Sequence, residues 1–550
     1  MSTPNPALVS QQAVQRLPRL ALLLFCAAYV LPGLFGRDPW KNADLTAFGY
    51  MVNMAQGKTS WLDPAIAGLP METALLPHWL GAAFIALLSP WVDPAFAARL
   101  PFVALLTLTL VLTWYSCFHL ARTDRAQPLP FAFGGEAKTV DYARAIADGA
   151  LLALIATLGL LQLGHETTPE LAQLCSAVLF LWGLAAAPFR GVRAVLAVLA
   201  ALPLLAASGA PAMALGIGLW GTWVCLRHPP EGAPRFWRWA AIATLAGALA
   251  GWALGTWAVR WHFTPDFAQL RQLLRLFLWF LWPAWVLALW TLWRWRQHLA
   301  QPHLSLPLGM AVIAASSCIA MGGSDRALML GLPAMAVLAA FALPTFKRST
   351  SAAIDWFSVF FFTGAALFAW VMYIAMQTGV PAKPAANVAK LAPGFTPVFS
   401  LVELLAALAG TLAWLWLVRW RTGRHRHALW KSLVLPASGV ALCWLLVMTL
   451  WLPIVDYDRS YRPWVMRVAR HVKRDECISA RGLPRAPLAA LEYYGGYRVD
   501  ARPGVPIEAC PVLLKPGAAP PPAGWVVAAR ERRPTDRNEL TTLYRRAPAR

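Results

Sequence analysis

Charge is scarce in this chain. Asp, Glu, Lys and Arg make up 13% of its 550 residues, against about 25% in an ordinary soluble domain, so a single water-soluble globule is excluded. Acidic residues are the rarer sign, 26 against 48 Lys and Arg, for a net charge of +22. The basic residues do not gather into one stripe, which excludes a nucleic-acid-binding protein. They recur in small clusters between apolar runs, the pattern that membrane topology produces. There is no CxxC, no Cys/His zinc spacing, no Gly-rich phosphate loop and no internal repeat. Ionisable residues inside the apolar runs are nearly missing. Glu403 and His119 are the main cases, both isolated, and no Asp/Glu/His series marks a transport path.

What is abundant is hydrophobic length. The chain is 58% hydrophobic with a mean hydropathy of +0.52, and reads as an all-α polytopic membrane protein. Its 29 Trp concentrate at the ends of apolar runs, as an interfacial belt does. Residues 1–16 are polar and are expected to be a disordered cytoplasmic tail. Residues 17–35 carry no small-x-small cleavage site and read as a retained first span. Twelve further spans are expected near 100–121, 146–164, 171–189, 192–208, 211–227, 239–258, 275–293, 307–322, 327–344, 355–378, 398–419 and 433–452. Each approaches the roughly 20 residues that cross about 30 Å of hydrocarbon.

Residues 74–91 are long enough to span, but charge argues otherwise. With this run on the surface, Arg122/Arg125, Arg190/Arg193, Arg227/Arg235/Arg238, Arg294/Arg296, Lys347/Arg348 and Arg419/Arg421/Arg424/Arg426 share the cytoplasmic side with Arg16 and Arg19. The expectation is therefore about thirteen transmembrane helices over 17–452. Residues 453–550 are expected to form a small α/β domain on the far side. Within it PVLLK and GWVVAAR read as strands, and RSYRPWVMRVARHVK as a helix. Cys477 and Cys510 are the two cysteines outside the apolar part, and are expected to pair in an oxidising compartment.

The chemistry is expected in the first loop, 37–99. Asn42 or Asp44 stands where a helix N-cap belongs, and Phe48, Met51, Val52 and Ala55 follow on one helical face until Gly57. Glu72 precedes a second amphipathic stretch containing His78 and Trp79. The remaining acidic residues also fall in loops on this side: Glu166, Glu170, Asp266 and Asp325. Carboxylates at one membrane face suit a reaction on a lipid-borne substrate better than a path through the bilayer.

These residues resemble the polytopic glycosyltransferases of the C-type fold, closest to glycosyltransferase family 39, with its lipid A aminoarabinose transferases and protein O-mannosyltransferases. The resemblance lies in Asp44 of WKNADLTAFGY, in GLPMETALLPHWLGA with Glu72, in Ala98-Arg99-Leu100-Pro101, in Glu170, and in DRALMLGLPAMAVLAAF with Arg326. Two family motifs carrying lysine differ here. Thr73-Ala74-Leu75-Leu76-Pro77 replaces Lys-Pro-Pro after the Glu, and Ser208-Gly209-Ala210-Pro211 replaces Lys-Gly-Pro.

The resemblance implies a sugar moved from a polyprenyl-phosphate donor to a lipid, glycan or protein acceptor at the periplasmic face of a bacterial inner membrane. It implies an inverting displacement with Asp44 as general base and Glu72 beside it. Arg99, Glu170, Arg271, Arg275 and Arg326 are candidate substrate ligands, and no cofactor is required. Each has a blander alternative. Asp44 and Glu170 are placed to cap helices, Glu72 to meet solvent, and Arg99, Arg271 and Arg275 to anchor at the interface. Glu72 with His262 is a candidate divalent-metal pair. A lipid-linked glycan flippase and a membrane scaffold are the alternatives of other classes.

Overall fold

The computed structural model describes residues 5–72, 74–257, 261–422, 428–536 and 538–547. Thr73, residue 258, Arg424 and Arg426, all read above, lie outside them. The membrane part begins with α1 (Arg19–Val30), α2 (Ala43–Ala55), α3 (Leu75–Leu88), α4 (Pro94–Ala121), α5 (Thr139–Ala156) and α6 (Leu158–Leu163). It continues with α7 (Pro169–Ala207), α8 (Pro211–Arg227), α9 (Trp237–Ala253), α10 (Phe267–Phe280), α11 (Ala284–Arg294), α12 (Pro302–Ala320), α13 (Asp325–Met329) and α14 (Leu332–Ala340). The helices α15 (Arg348–Thr378), α16 (Ala382–Leu391), α17 (Leu401–Thr422) and α18 (Lys431–Thr449) complete it. Helix α5 is the hub, buried on every side from Ala145 to Ala156, because its sequence there is Ala, Leu and Ile with one Asp and one Gly. Helix α17, with only Ala407 and Trp414 buried, forms an apolar outer edge.

Every expected span coincides with helix, but lengths differ. Among the described residues six helices are long and apolar enough to cross a membrane, seven counting one bent pair. The thirteen expected spans include shorter pieces. Two of them, 171–189 and 192–208, lie in α7 and fold back on each other at Gly191. That residue adopts φ 39°, a left-handed value that glycine takes without penalty. Gly183 then lies against Val198, and Gln173 Nε2 donates to the Ser208 carbonyl at 2.7 Å.

Two expectations are corrected, and one pair of alternatives, Asn42 or Asp44 at the N-cap, is decided. The 275–293 span is broken: α10 and α11 meet at 89°. The turn falls at Trp282-Pro283, where proline cannot continue the ladder, and α10 is amphipathic because Arg271 and Arg275 interrupt its apolar residues. Residues 5–16 of the N-terminal tail are ordered. Its backbone pairs with 127–137 through Leu129 N to Ala7 O and Ala137 N to Val9 O, both 3.0 Å, and Ala7, Val9 and Val14 are buried. The residue before α2 is Asn42, at φ 68° and with no side-chain capping bond; Asp44 lies inside the first turn.

Helix α3 has 14 residues, about 21 Å at 1.5 Å per residue. It packs on α2 and α4 at the loop end of the bundle. The chain leaves the membrane part through α19 (Leu452–Arg459) and α20 (Arg462–Val468). A hairpin of β1 (Ala65–Ile66) and β2 (Leu69–Pro70) lies in the first loop. The C-terminal domain holds β3 (Cys477–Ser479), α21 (Arg485–Tyr493), β4 (Arg498–Asp500), β5 (Val512–Pro516), β6 (Trp525–Arg532) and β7 (Leu540–Arg546). Its sheet runs β4-β3-β5-β7-β6, parallel around β3 and antiparallel around β7. Cys477 and Cys510 are joined by a disulfide. The domain sits on the first loop. α21 packs on α2 so closely that a Cβ on Gly49 would stand 2.6 Å from that of Ala489.

Candidate active site

Asp44 joins three segments. Its position in the first turn of α2 favours an anion, yet the carboxylate turns away from its own helix. Oδ2 accepts from the Trp40 amide at 3.0 Å, and Oδ1 accepts from the Thr167 amide at 2.7 Å and the Thr167 hydroxyl at 2.8 Å. Arg37 Nη2 lies 3.3 Å from Oδ2, and the two side chains are 0% and 1% exposed. Burial works to raise the Asp44 pKa. The Arg37 guanidinium, the Thr167 and Trp40 amides and Arg99 outweigh it and hold the carboxyl below its ordinary value. Arg37 also donates to the His165 carbonyl at 2.8 Å and stacks 4.5 Å over the Trp40 ring. Arg99, fully buried, donates to the Leu34 carbonyl at 3.3 Å and to the Arg37 carbonyl.

The turn that holds Asp44 also carries the second group. Arg326, at the start of α13, donates to Thr168 Oγ1 at 3.0 Å and to Glu170 Oε2 at 3.3 Å, and pairs tightly with Glu166. Gln162 Nε2 donates to Glu166 at 2.9 Å. Burial raises the Glu166 pKa and the Asp44 charge adds to it, against the opposing pull of Arg326 and Gln162. Residues 166–170 thus bind, in alternation, Arg326 on one side and Asp44 on the other.

Glu170 and Glu72 line one open cavity of about 400 Å³ together with Asp63, Trp79, Gln173 and Ser208. Glu72 is 70% exposed and pairs at 2.7 Å with Arg485 of the C-terminal domain. Arg485 also donates to the Tyr50 hydroxyl at 2.8 Å and the Pro70 carbonyl at 3.0 Å. Nearby, Glu492 accepts from Asn53 Nδ2 at 2.8 Å and from the Ala67 amide at 2.9 Å. A helix of the distant domain therefore holds the turn and the far end of the first-loop hairpin.

A second cavity, about 700 Å³ and almost wholly apolar, opens between α10, α15 and α18 and is lined by Leu158, Trp279, Trp282, Phe357 and Leu433. Helix α10 carries Arg271, Arg275 and Trp279 at i, i+4 and i+8, hence on one face. Trp279 reaches the apolar cavity, and the two exposed arginines continue the line toward the loop end. Neither has a carboxylate within 4 Å among the described residues. Asp266 caps the helix, accepting from Gln269 N at 2.6 Å.

The structure thus brings Asp44, Glu170 and Arg326 together around 166–170, and sets Glu72 across the cavity from Glu170. Arg99 lies beneath, engaged by backbone. His262 lies against Gly322, where a Cβ would meet its carbonyl at 3.0 Å. Among the described residues no three His, Cys, Asp or Glu side chains converge as metal ligands. Reading the sequence missed Arg37, Thr167 and Arg485 as site residues. Arg37 had a signal, being the first cation after an apolar run; Thr167 and Arg485 had none.

No protein-family model matches the chain, and no curated protein matches it by sequence. Solved structures do. ArnT from Cupriavidus metallidurans in the apo state is similar with a TM-score of 0.59 and 14% identity, over 96% of this chain and 98% of that one. The same protein bound to undecaprenyl phosphate is similar with a TM-score of 0.58 and 13% identity, over 96% and 97%. At such identity the likeness is one of fold, and it runs through membrane part and C-terminal domain alike. The chain has the polytopic C-type glycosyltransferase fold.

Proposed function

We propose that the protein is a membrane glycosyltransferase that moves a sugar from a polyprenyl-phosphate donor to an acceptor hydroxyl at the loop face of the bundle. The observation that carries this reading is the ladder on α10, where two arginines with no carboxylate within 4 Å among the described residues share a helix face with Trp279, a wall of the apolar cavity. A lipid phosphate matches both halves: the chain occupies the cavity and the phosphate meets Arg275 and Arg271. ArnT, of like fold, has been crystallised with undecaprenyl phosphate. The sugar then projects toward the cavity of Glu72 and Glu170.

The reaction is a single displacement. The acceptor oxygen attacks the anomeric carbon and gives its proton to a carboxylate. The bond from that carbon to the phosphate oxygen breaks, and the electron pair leaves on the polyprenyl phosphate. Configuration inverts. The arginines stabilise the departing charge. We assign the base to Asp44, ionised at neutral pH and reached once the Thr167 hydroxyl turns aside. A second reading gives that role to Glu170, because it already lines the open cavity. We propose that it works at the periplasmic face of a bacterial inner membrane, with the C-terminal domain outside.

The test is direct binding of undecaprenyl phosphate to the purified protein in nanodiscs. Arg271→Gln/Arg275→Gln should weaken it at least tenfold. Unchanged binding in a well-folded double variant refutes the donor site. Analysis of the lipid-linked sugar that accumulates when the protein is absent identifies the donor.

A further inference from the structure

We propose that the opposite, basic end of the bundle carries a binding groove for an anionic phospholipid of the surrounding leaflet, separate from the donor cavity. A groove of about 620 Å³ opens between α1, α4 and α5 and reaches the tip of the α7 hairpin. Its walls come from the same end of each element: the start of α1, the last turns of α4, the first half of α5 and the residue before Gly191. The rim holds Arg19, Arg144 and Arg190, and the floor is apolar, with Leu23, Val111 and Tyr115.

The charges on this groove are unequal. Of the carboxylates nearby, Asp141 is engaged by Arg16 at 3.0 Å and by Gln11 at 2.9 Å. Asp148 lines the groove but is buried, with its oxygens engaged, accepting from Trp114 Nε1 at 2.8 Å and the Leu17 amide at 3.4 Å. Arg19, Arg144 and Arg190 have no carboxylate within 4 Å among the described residues. Three such cations at the mouth of an apolar groove match a ligand with an anionic head and an acyl chain. Along α1 the groove is lined from Arg19 to Cys26, about 11 Å at 1.5 Å per residue, so it lies within one leaflet, about half of 30 Å. A free phosphate would use the rim and leave the floor without a role.

A basic residue near an anionic surface contributes roughly a fivefold preference, so three together support on the order of a hundredfold. Native mass spectrometry of the full-length protein in detergent, titrated with dioleoyl-phosphatidylglycerol and dioleoyl-phosphatidylcholine, reads that preference. We expect phosphatidylglycerol to bind at least tenfold tighter. Arg19→Gln/Arg144→Gln/Arg190→Gln should abolish the preference, and each single variant should lower it about fivefold. Arg294→Gln/Arg296→Gln removes two charges from the same end outside the groove and should leave it intact. Equal binding of the two lipids to the unaltered protein overturns the proposal. So does loss of preference in the Arg294/Arg296 variant, or displacement of the lipid by equimolar glycerol phosphate.

Discussion

Replacing Asp44 by Asn tests the centre of the structure. Were Asp44 a helix cap, Asn would serve nearly as well, since the two rank together at N-caps, and the cost would stay within a few tenths of a kcal/mol. The geometry predicts otherwise. Asp44 is the one carboxylate within 4 Å of Arg37 among the described residues, and both side chains are buried. The substitution leaves a buried guanidinium uncompensated, which costs about 3–5 kcal/mol. It also turns an amide –NH₂ toward either the Trp40 amide or the Thr167 amide, each of which now donates to an oxygen. Removing the cation as well should recover much of the loss, because exchanging a buried ion pair for apolar groups is often close to neutral.

The assay is a double-mutant cycle of Arg37→Met and Asp44→Asn, followed by denaturant unfolding in mixed micelles through tryptophan fluorescence. We expect each single variant to lose about 3 kcal/mol or more and the pair to couple by at least about 1.5 kcal/mol. An Asp44→Asn protein within about 0.5 kcal/mol of the parent refutes the ion-pair argument. Activity must then be compared at a temperature where the variant stays folded. There the base assignment predicts a rate loss of about 10²–10⁴, and Glu170→Gln should keep a near-parental rate. A reversal of those two results moves the base to Glu170.

Arg485→Met removes three contacts between the C-terminal domain and the first loop; limited proteolysis should then cut within 58–72 many times faster, and unchanged cleavage removes the clamp role. Gly49→Val places a branched side chain where Ala489 already stands at 2.6 Å from a Cβ and should release the same domain contact with the membrane part still folded, as read by size exclusion and tryptophan fluorescence. Reducing the Cys477–Cys510 disulfide, which closes a 33-residue separation, should destabilise the C-terminal domain by about 3–4 kcal/mol in the chain-entropy model; an unchanged unfolding midpoint in dithiothreitol contradicts this. Stability should also fall as pH rises from about 4 to about 7. Burial and the neighbouring Asp38 charge push Asp456 up to about 7, above its unfolded value, so the folded state holds the extra proton and loses that advantage through the window. Asp456→Asn should flatten this slope in thermal unfolding measured against pH.

What the sequence could carry was whatever one segment decides alone. Apolar length marks a helix wherever it occurs, so each expected span found one. The acidic residues in loops were legible for the same reason: a charge that cannot lie in hydrocarbon must lie at an end. Relations between segments were not legible. Arg271 and Arg275 read as the head of a straight span, because nothing local announces that α10 will turn by 89° before α11. Residues 5–16 read as a tail because their partners, 127–141, are a hundred positions away. Asp44 shows the difference most plainly. Its sequence neighbours pointed to a cap or a base, and both readings assumed an open carboxylate. The fold instead encloses it between Arg37 and Thr167, segments 130 positions apart. The first loop therefore reaches its shape only after the 165–170 turn, Arg326 and the C-terminal helix α21 have closed around it. A candidate site assembled that way is held by three remote segments at once, and Gly49→Val, remote from the carboxylates, should change the geometry at Glu72 by displacing α21 and with it Arg485.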